Sequence, residues 1–392
     1  MASQFEYSSV SSPEDLQQLR VIESQCFGIP PHDCQEYIDC LGKEKFRLIR
    51  QGKQVVGSLA IYDMGQWYGG CRVPMAGIAA VGVLPESRGT GAAYQLMSST
   101  LQELHSQDVP ISALYAATQR LYRKVGYEQG GTRCRWKLET TSIQSQERHL
   151  TLHRVNPNHY EIFQDIYQQQ AQINNGNLDR ISAIWKNLLK VLEKQSLYAY
   201  LIGSETKPEG YIIFTQRREA DSFLIGIRDG VVLTTKAAQS FWTFLADHRS
   251  QINEVRWYGS SLNPSLLLLS EQSAKIAHKE HWMLRVINVP LALSKRGYPL
   301  GVETELHLEI KDNLIAKNNG RFCLKVSQGQ GEVTTGGNGD LQIDVKGLAS
   351  LYTGLFSPRQ LQLAGYLQAN QEALLTATLL FAGSEPWMPD FF

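Results

Sequence analysis

Met75-Ala76-Gly77-Ile78-Ala79-Ala80-Val81-Gly82-Val83-Leu84 runs directly into Pro85-Glu86-Ser87-Arg88-Gly89-Thr90-Gly91-Ala92-Ala93-Tyr94, and the fold of the 392-residue chain turns on this stretch. The first ten residues are almost wholly apolar, as expected of a strand buried on both faces. Pro85 to Gly91 interrupts that strand, after which Ala93, Leu96, Met97, Leu101 and Leu104 mark the buried stripe of a helix. Strand, glycine loop and helix start in succession bring unpaired backbone N–H groups and the positive end of a helix dipole to one point, where an anion is favoured. Gly89 and Gly91 let that backbone approach a ligand with no Cβ in the way.

Upstream, Ser12-Pro13-Glu14-Asp15 reads as a helix start, with a hydroxyl N-cap, proline at the first helical position and acids in the first turn. Leu16, Leu19 and Ile22 follow on one face, and a short helix is expected near Glu36. Two β-runs, Phe46 to Arg50 and Gln54 to Tyr62, are joined by the turn residues Gly52-Lys53. Downstream come a strand over Ile111 to Ala116 and a helix from Gln119 to Val125 that Gly126 ends. The expected order is β, α, α, β, β, β, α, β, α, β.

From about Leu150 the pattern restarts. A strand near Leu152 leads to a helix marked by Ile181, Ile184, Trp185, Leu188, Leu189 and Leu192, then to strands at Leu197 to Ile202, Gly210 to Thr215 and Phe223 to Ile227 and a helix near Ala237. Only Asp229-Gly230 is expected between strand and helix here, so this unit reads as a degenerate copy without phosphate chemistry. In the last hundred residues, alternating strands around Leu306, Phe322 and Leu341 and helices near Ala349, Leu361 and Leu374 read as a third, α+β domain.

Composition narrows the function. Thirty-eight Lys+Arg balance thirty-eight Asp+Glu, so no global field draws the protein to nucleic acid or to an anionic membrane. Apolar runs such as Ala373 to Ala382 fall short of the roughly 20 residues that cross a bilayer. The first residues lack the basic and apolar segments of a secretory signal, so a cytoplasmic location is expected. The six cysteines form no Cys-x-x-Cys pair and the histidines no His-Glu-x-x-His, so no metal is expected. Cys71 and Cys134 have no evident histidine partner and read as packing residues rather than nucleophiles.

The Arg88-x-x-Gly91-x-Ala93 loop, followed by Leu121-Tyr122-Arg123-Lys124-Val125-Gly126-Tyr127, resembles the GNAT superfamily of N-acetyltransferases. The resemblance implies acetyl-CoA as co-substrate, its pyrophosphate on the amides of Gly89, Thr90, Gly91, Ala92, Ala93 and Tyr94, with Arg88 as a further cofactor contact. Its pantetheine arm would pair along Val81, Gly82 and Val83, where one strand N–H stabilises charge as an oxyanion hole does. The family pattern has Ser-Glu where this chain has Ala117-Thr118, and both are kept as cofactor contacts.

A narrower resemblance spans the whole chain. Two GNAT-like units, a sterol-carrier-like C-terminal domain and the junction stretch from Met283 to Tyr298 look like the Eis (enhanced intracellular survival) acetyltransferase family. The fold class implied is α+β: a catalytic GNAT domain over 1–149, a degenerate GNAT-like domain over 150–286, and a sterol-carrier-protein-like domain over 287–392. The junction reads as packing residues, a proline that fixes the chain and an arginine that pairs. The resemblance also implies Tyr127 as general acid, with Tyr122 as competitor, and the α-carboxylate of Phe392 as base or amine-orienting group. Trp387-Met388-Pro389-Asp390-Phe391-Phe392 is too apolar to wave in solvent and should be docked, and Asp390 and Glu385 either acidify the acceptor pocket or are solvated charges. Polyamine acceptors such as aminoglycosides and a homo-hexamer are implied. A protein-lysine or N-terminal acetyltransferase and a lipid carrier are the alternatives.

Overall fold

The computed structural model describes residues 5–190, 195–219 and 222–392. Two compact units result, and neither is continuous in sequence: one gathers residues 1–130, 282–383 and 392, the other 131–281 and 384–391.

The first unit begins with β1 (Glu6–Ser9), α1 (Pro13–Phe27), α2 (Pro31–Leu41), β2 (Phe46–Gln51), β3 (Gln54–Tyr68) and β4 (Cys71–Val83). It continues with α3 (Ala92–Ser106), β5 (Ile111–Tyr115), α4 (Gln119–Lys124) and the first residues of β6 (Glu128–Glu139). The order matches the expected one, with β3 and β4 longer than the apolar runs. At the start of α1 the Ser12 hydroxyl accepts from the Asp15 N–H while the Asp15 carboxylate accepts from the Ser12 N–H, a reciprocal box that satisfies two orphan donors. Gly28 ends the helix in the left-handed region at φ 65°.

Strand order is β1-β2-β3-β4-β5, followed by Trp282–Val286 of a later strand paired antiparallel with Ile111–Tyr115. Alternation along the strands gives this sheet two distinct faces. Leu59 and Ile61 of β3 and Ile78 of β4 pack with Leu96, Leu101 and Leu104 of α3 into one core. Ser58, Ala60 and Tyr62 leave the opposite face, which α1 covers: a Cβ placed on Gly82, the partner of Ser58, would lie 3.1–3.2 Å from Ile22 and Cys26.

A second sheet in this unit is built from Thr304–Lys311, Gly320–Ser327, Gln330–Thr335, Leu341–Asp344 and Leu367–Ala369, with helices Val345–Thr353, Pro358–Leu363 and Gln371–Leu380 against it. Buried ion pairing ties it to the first sheet. The Arg285 guanidinium donates to both Asp312 oxygens at 2.8 and 2.7 Å. Burial works against the Asp312 charge, yet Arg285 and Asn318 hold its carboxyl below the usual carboxylate range. Arg285 is thus the pairing arginine of the junction, whereas Arg296 lies over the rings of Tyr298, Tyr352 and Phe381 at 4.8–5.1 Å.

The second unit repeats the plan with strands Leu152–Val155, Leu197–Gly203, Pro208–Glu219, Ser222–Val232 and Glu254–Gly259 and helices Glu161–Gln172, Ser182–Leu189 and Thr235–Ala246. Leu192, expected on the helix that begins at Ser182, lies outside the described residues. One expectation is corrected: Asp229-Gly230 is not the strand-to-helix connection but part of strand Ser222–Val232, where Asp229 serves as a buried counter-ion. The connection is Leu233-Thr234.

Candidate active site

The loop after β4 has the conformation that the glycines foretold. Gly89 and Gly91 lie at φ 80° and 97°, the left-handed region that glycine enters without strain. Gly91 is the N-cap of α3 and offers no side chain to its amides, so the helix N-terminus is left uncapped. Arg88, Gly89, Thr90, Gly91 and Tyr94 are exposed, Ala92 is buried and Ala93 is half-buried. The Arg88 side chain turns back and donates from Nε to the Val83 carbonyl at 3.2 Å. These residues fit a pyrophosphate: an open, left-handed cradle with an uncapped 15-residue helix behind it.

β4 and β5 pair in parallel only over Met75–Gly77 and Ile111–Ala113. Beyond them no ladder pairs Ile78–Val83 with Leu114–Ala116, and the Val83 carbonyl accepts instead from Arg88 Nε and Cys26 Sγ. Within this stretch Ser58 faces Gly82 and Ala60 faces Ala79, so β4 carries one residue more than β3. The extra residue is a bulge at Ala80, which sits at φ 50°, a strained conformation for a residue with a Cβ. Ala80 was not among the residues singled out from sequence. Its only sign there was an alanine pair amid alternating glycines.

Tyr127 is fully buried in the core beneath α3, and its hydroxyl lies 2.7 Å from Ser112 Oγ on β5. Burial pushes this phenol well above its ordinary value, against the opposing hydrogen bond from Ser112. Tyr122 packs 6.1 Å from it, edge to face, and burial alone pushes its hydroxyl up to about 12. Both therefore keep their protons at neutral pH. Phe392 lies on the other face of the sheet, its ring 5.8 Å from Tyr62 and 6.0 Å from Tyr115, over Gly77, where a Cβ would come within 2.7 Å of the ring. Ser112 and Tyr115 are three apart on β5, which puts Tyr127 and Phe392 on opposite sides of the splayed strands. Ala117 and Thr118 are exposed ahead of α4, and the Thr118 hydroxyl does not cap that helix.

In the second unit Asp390 is neither a pocket acid nor a solvated charge. It is buried and accepts from Arg180 Nε at 2.9 Å, while Arg180 also holds Asp229 at 2.6 Å. Burial outweighs the attraction of Arg180 and raises the Asp390 carboxyl. Glu385 accepts from Thr132 and Ser261. A cavity of about 390 Å³ in this unit is lined by residues that include Arg148, Thr151, Ser240, Thr243 and Phe244, and none of the candidate site residues is among them.

Glu305, His307 and Cys323 come within 4.8 Å of one another on two adjacent strands, a grouping that linear spacing does not reveal. His307 Nδ1 accepts from the Asn338 N–H at 2.9 Å. The neutral ring therefore carries its proton on Nε2, the nitrogen that faces Cys323, which suits hydrogen bonding rather than metal ligation. No helix among the described residues is long and apolar enough to cross a membrane.

Known proteins match this architecture. Profiles of the acetyltransferase (GNAT) domain match residues 8–130 and 176–286, and a profile of the sterol carrier protein domain matches 289–389. A crystal structure of a GCN5-related N-acetyltransferase from Anabaena variabilis ATCC 29413 is 56% identical, with a TM-score of 0.97 over 99% of this chain and 100% of that one. The corresponding protein from Kribbella flavida is 28% identical, with a TM-score of 0.87 over 99% of this chain and 98% of that one. N-acetyltransferase Eis of Mycobacterium tuberculosis is 26% identical over 349 residues, 83% of this chain and 82% of that protein. The two acetyltransferase folds, the sterol-carrier fold behind them and these relatives together place the chain among the GCN5-related N-acetyltransferases of the Eis family, acyltransferases whose fold implies acetyl-CoA as co-substrate.

Proposed function

We propose that this enzyme acetylates an amine of a polyamine small molecule of the aminoglycoside kind by direct attack on the thioester, without an acyl-enzyme. The observation that carries the reading is the Ala80 bulge, set between the glycine cradle that follows β4 and the Phe392 ring over Gly77 in the middle of that strand. In this reading the amides from Gly89 to Tyr94 bind pyrophosphate and the β4 edge from Val81 to Val83 aligns the acyl arm. Tyr127 supplies a proton to the leaving thiolate from beneath the splay, relayed or steadied by Ser112. The α-carboxylate of Phe392 orients the incoming amine on the other face. The thiols give no support to an acyl-enzyme, since burial raises Cys26 and Cys134 above their ordinary value. Arg296, buried among three rings in the C-terminal domain, supports a structural rather than a lipid-carrying role for that domain.

The test is an acetylation assay with acetyl-CoA and two panels, amino sugars with linear polyamines against lysine peptides, read by mass spectrometry. Acetylated amino sugars and untouched peptides are expected. Preference for peptides would move the acceptor class to proteins. The hexamer is tested by sedimentation of the full chain, and a cytoplasmic location by fractionating cells.

A further inference from the structure

The Val83 carbonyl stands where the β4 edge meets the glycine cradle, and the chain's own donors hold it. Gly57 lies opposite Val83, and the bond beside that pair runs from the Leu84 N–H to the Val56 carbonyl. In an antiparallel ladder this makes Val83 a residue whose own N–H and C=O turn away from β3. The carbonyl therefore points to the outer edge of β4, the edge that would take the pantetheine arm. A carbonyl oxygen offers two lone pairs, and this one takes two donors, Arg88 Nε at 3.2 Å and Cys26 Sγ at 3.5 Å.

The two donors differ in freedom. Cys26 is fixed: it is half-buried on α1, and that helix presses so closely on β4 that a Cβ on Gly82 would lie 3.1–3.2 Å from Ile22 and Cys26. Burial raises the thiol above its ordinary value, with Arg88 opposing and Glu23, buried on the same helix, adding to it, so Cys26 keeps its proton and remains a donor. Arg88 is exposed, and its Cα adjoins Gly89, the first left-handed residue of the cradle. One guanidinium thus lies within reach of two acceptors, the Val83 carbonyl and an anion on the cradle amides. Phosphate oxygens offer the bidentate, doubly charged partner that a single carbonyl does not, so a diphosphate draws the guanidinium away from Val83.

We propose that Arg88 is a donor-specificity residue: it withholds the Val83 carbonyl from pantetheine arms that lack a diphosphate, and releases it when the diphosphate of CoA enters the cradle. The inference rests on reading the amides from Gly89 to Tyr94 and the β4 edge as the acetyl-CoA site. The exchange involves hydrogen bonds alone. The guanidinium leaves the carbonyl for phosphate oxygens, an amide N–H of the arm takes the lone pair it vacates, and no covalent bond changes and no proton is transferred. An arm without the diphosphate has to displace Arg88 with nothing to offer it in return, so the contact acts against the wrong donor while the cradle acts for the right one.

The probes are D-pantetheine and CoA, titrated calorimetrically into the full chain as wild type and as Arg88→Met. Methionine keeps much of the side chain's length and has no donor, and the position is exposed on a loop, so the variant should fold. Arg88→Met should bind pantetheine about fivefold more tightly than wild type, as expected when one competing hydrogen bond is removed. It should bind CoA about tenfold more weakly, because the charge-assisted bond to phosphate is lost. The opposite signs are the decisive feature, since a merely structural role for Arg88 would move both ligands the same way. Pantetheine bound equally by the two proteins, less tightly by the variant, or detectably by neither overturns the proposal. CoA affinity that does not fall in Arg88→Met also overturns it, because the guanidinium then does not follow the diphosphate. If wild-type protein does not bind CoA, the cofactor reading itself fails and takes this inference with it, whereas CoA binding with unmoved pantetheine affinity ends this inference alone.

Discussion

The two acetyltransferase units share a strand geometry and differ in what fills it. In the first, β4 pairs in parallel over Met75–Gly77 and bulges at Ala80. In the second, Ser222–Val232 pairs in parallel over Leu224–Gly226 and carries one extra residue at Arg228, between the pairs Phe214 with Ile227 and Ile213 with Asp229. Alanines and glycines surround the first bulge. At the second, Arg228 donates to the carbonyls of Leu188 and Lys190, and Asp229 is locked to Arg180 and Tyr211. The helix that follows differs in the same sense. Gly91 leaves the amides of α3 uncapped, whereas Thr234 caps Ala237 with its own hydroxyl oxygen and donates to Glu209 at 2.6 Å. A backbone suited to a cofactor thus becomes a site only where small residues and an uncapped helix leave room and donors free.

The largest expected effect is at Phe392, the proposed amine-orienting group of the first unit. A single glycine added after Phe392 moves the carboxylate by about 3.5 Å, and a misplacement of about 1 Å can cost about 100-fold. We expect kcat to fall on that order with CoA affinity unchanged. Next is the acid. Tyr127→Phe should lower kcat by about 10- to 100-fold at unaltered CoA affinity, with Tyr122→Phe as control, and a larger loss at Tyr122 would transfer the role.

In the second unit the filled bulge is structural. Arg180→Met leaves Asp229 and Asp390 without their shared cation and should destabilise the protein by about 3–5 kcal/mol in chemical denaturation. A pH series sharpens the contrast with the first unit. Glu23 is raised in the folded state, so the fold holds its proton more tightly than the unfolded chain does, and stability is lost as pH climbs from about 4.5 towards 8. Glu23→Gln should therefore resemble wild type in melting temperature at pH 5 and exceed it at pH 9. The smallest effect is expected from Thr234→Gly, which uncaps the second helix at a cost of a few tenths of a kcal/mol. It should gain no CoA site, because Arg228 and Asp229 still occupy the bulge.

Much of this was legible in the sequence, and for physical reasons. Hydrophobic period and glycine placement report local geometry, so the β4 strand, the Arg88 to Tyr94 cradle and the stripe of α3 could be read directly. Groups that act through tertiary contact could not. Asp229 looked like a connection residue because Asp-Gly favours turns, yet Arg180, 49 positions away, holds it inside a strand. Asp390 reads from sequence as a pocket acid or a solvated charge, and only the fold brings it to the same arginine. Glu23 did leave a trace, four residues after Leu19 and next to Ile22, which sets it on the buried side of α1. Its charge masks that placement, because an acid in a helix is most often solvated. The bulge at Ala80 has no sequence period of its own, since one extra residue appears only in the register with β3.

The central claim is that one of the two units binds acetyl-CoA, and that it does so through the left-handed glycine loop. The direct measurement is calorimetric titration of CoA into the full chain and into Gly91→Asp, whose carboxylate would repel phosphate from the α3 N-terminus. One CoA per chain for the wild type and none for the folded variant is the predicted result; two per chain, or wild-type affinity in Gly91→Asp, would contradict it.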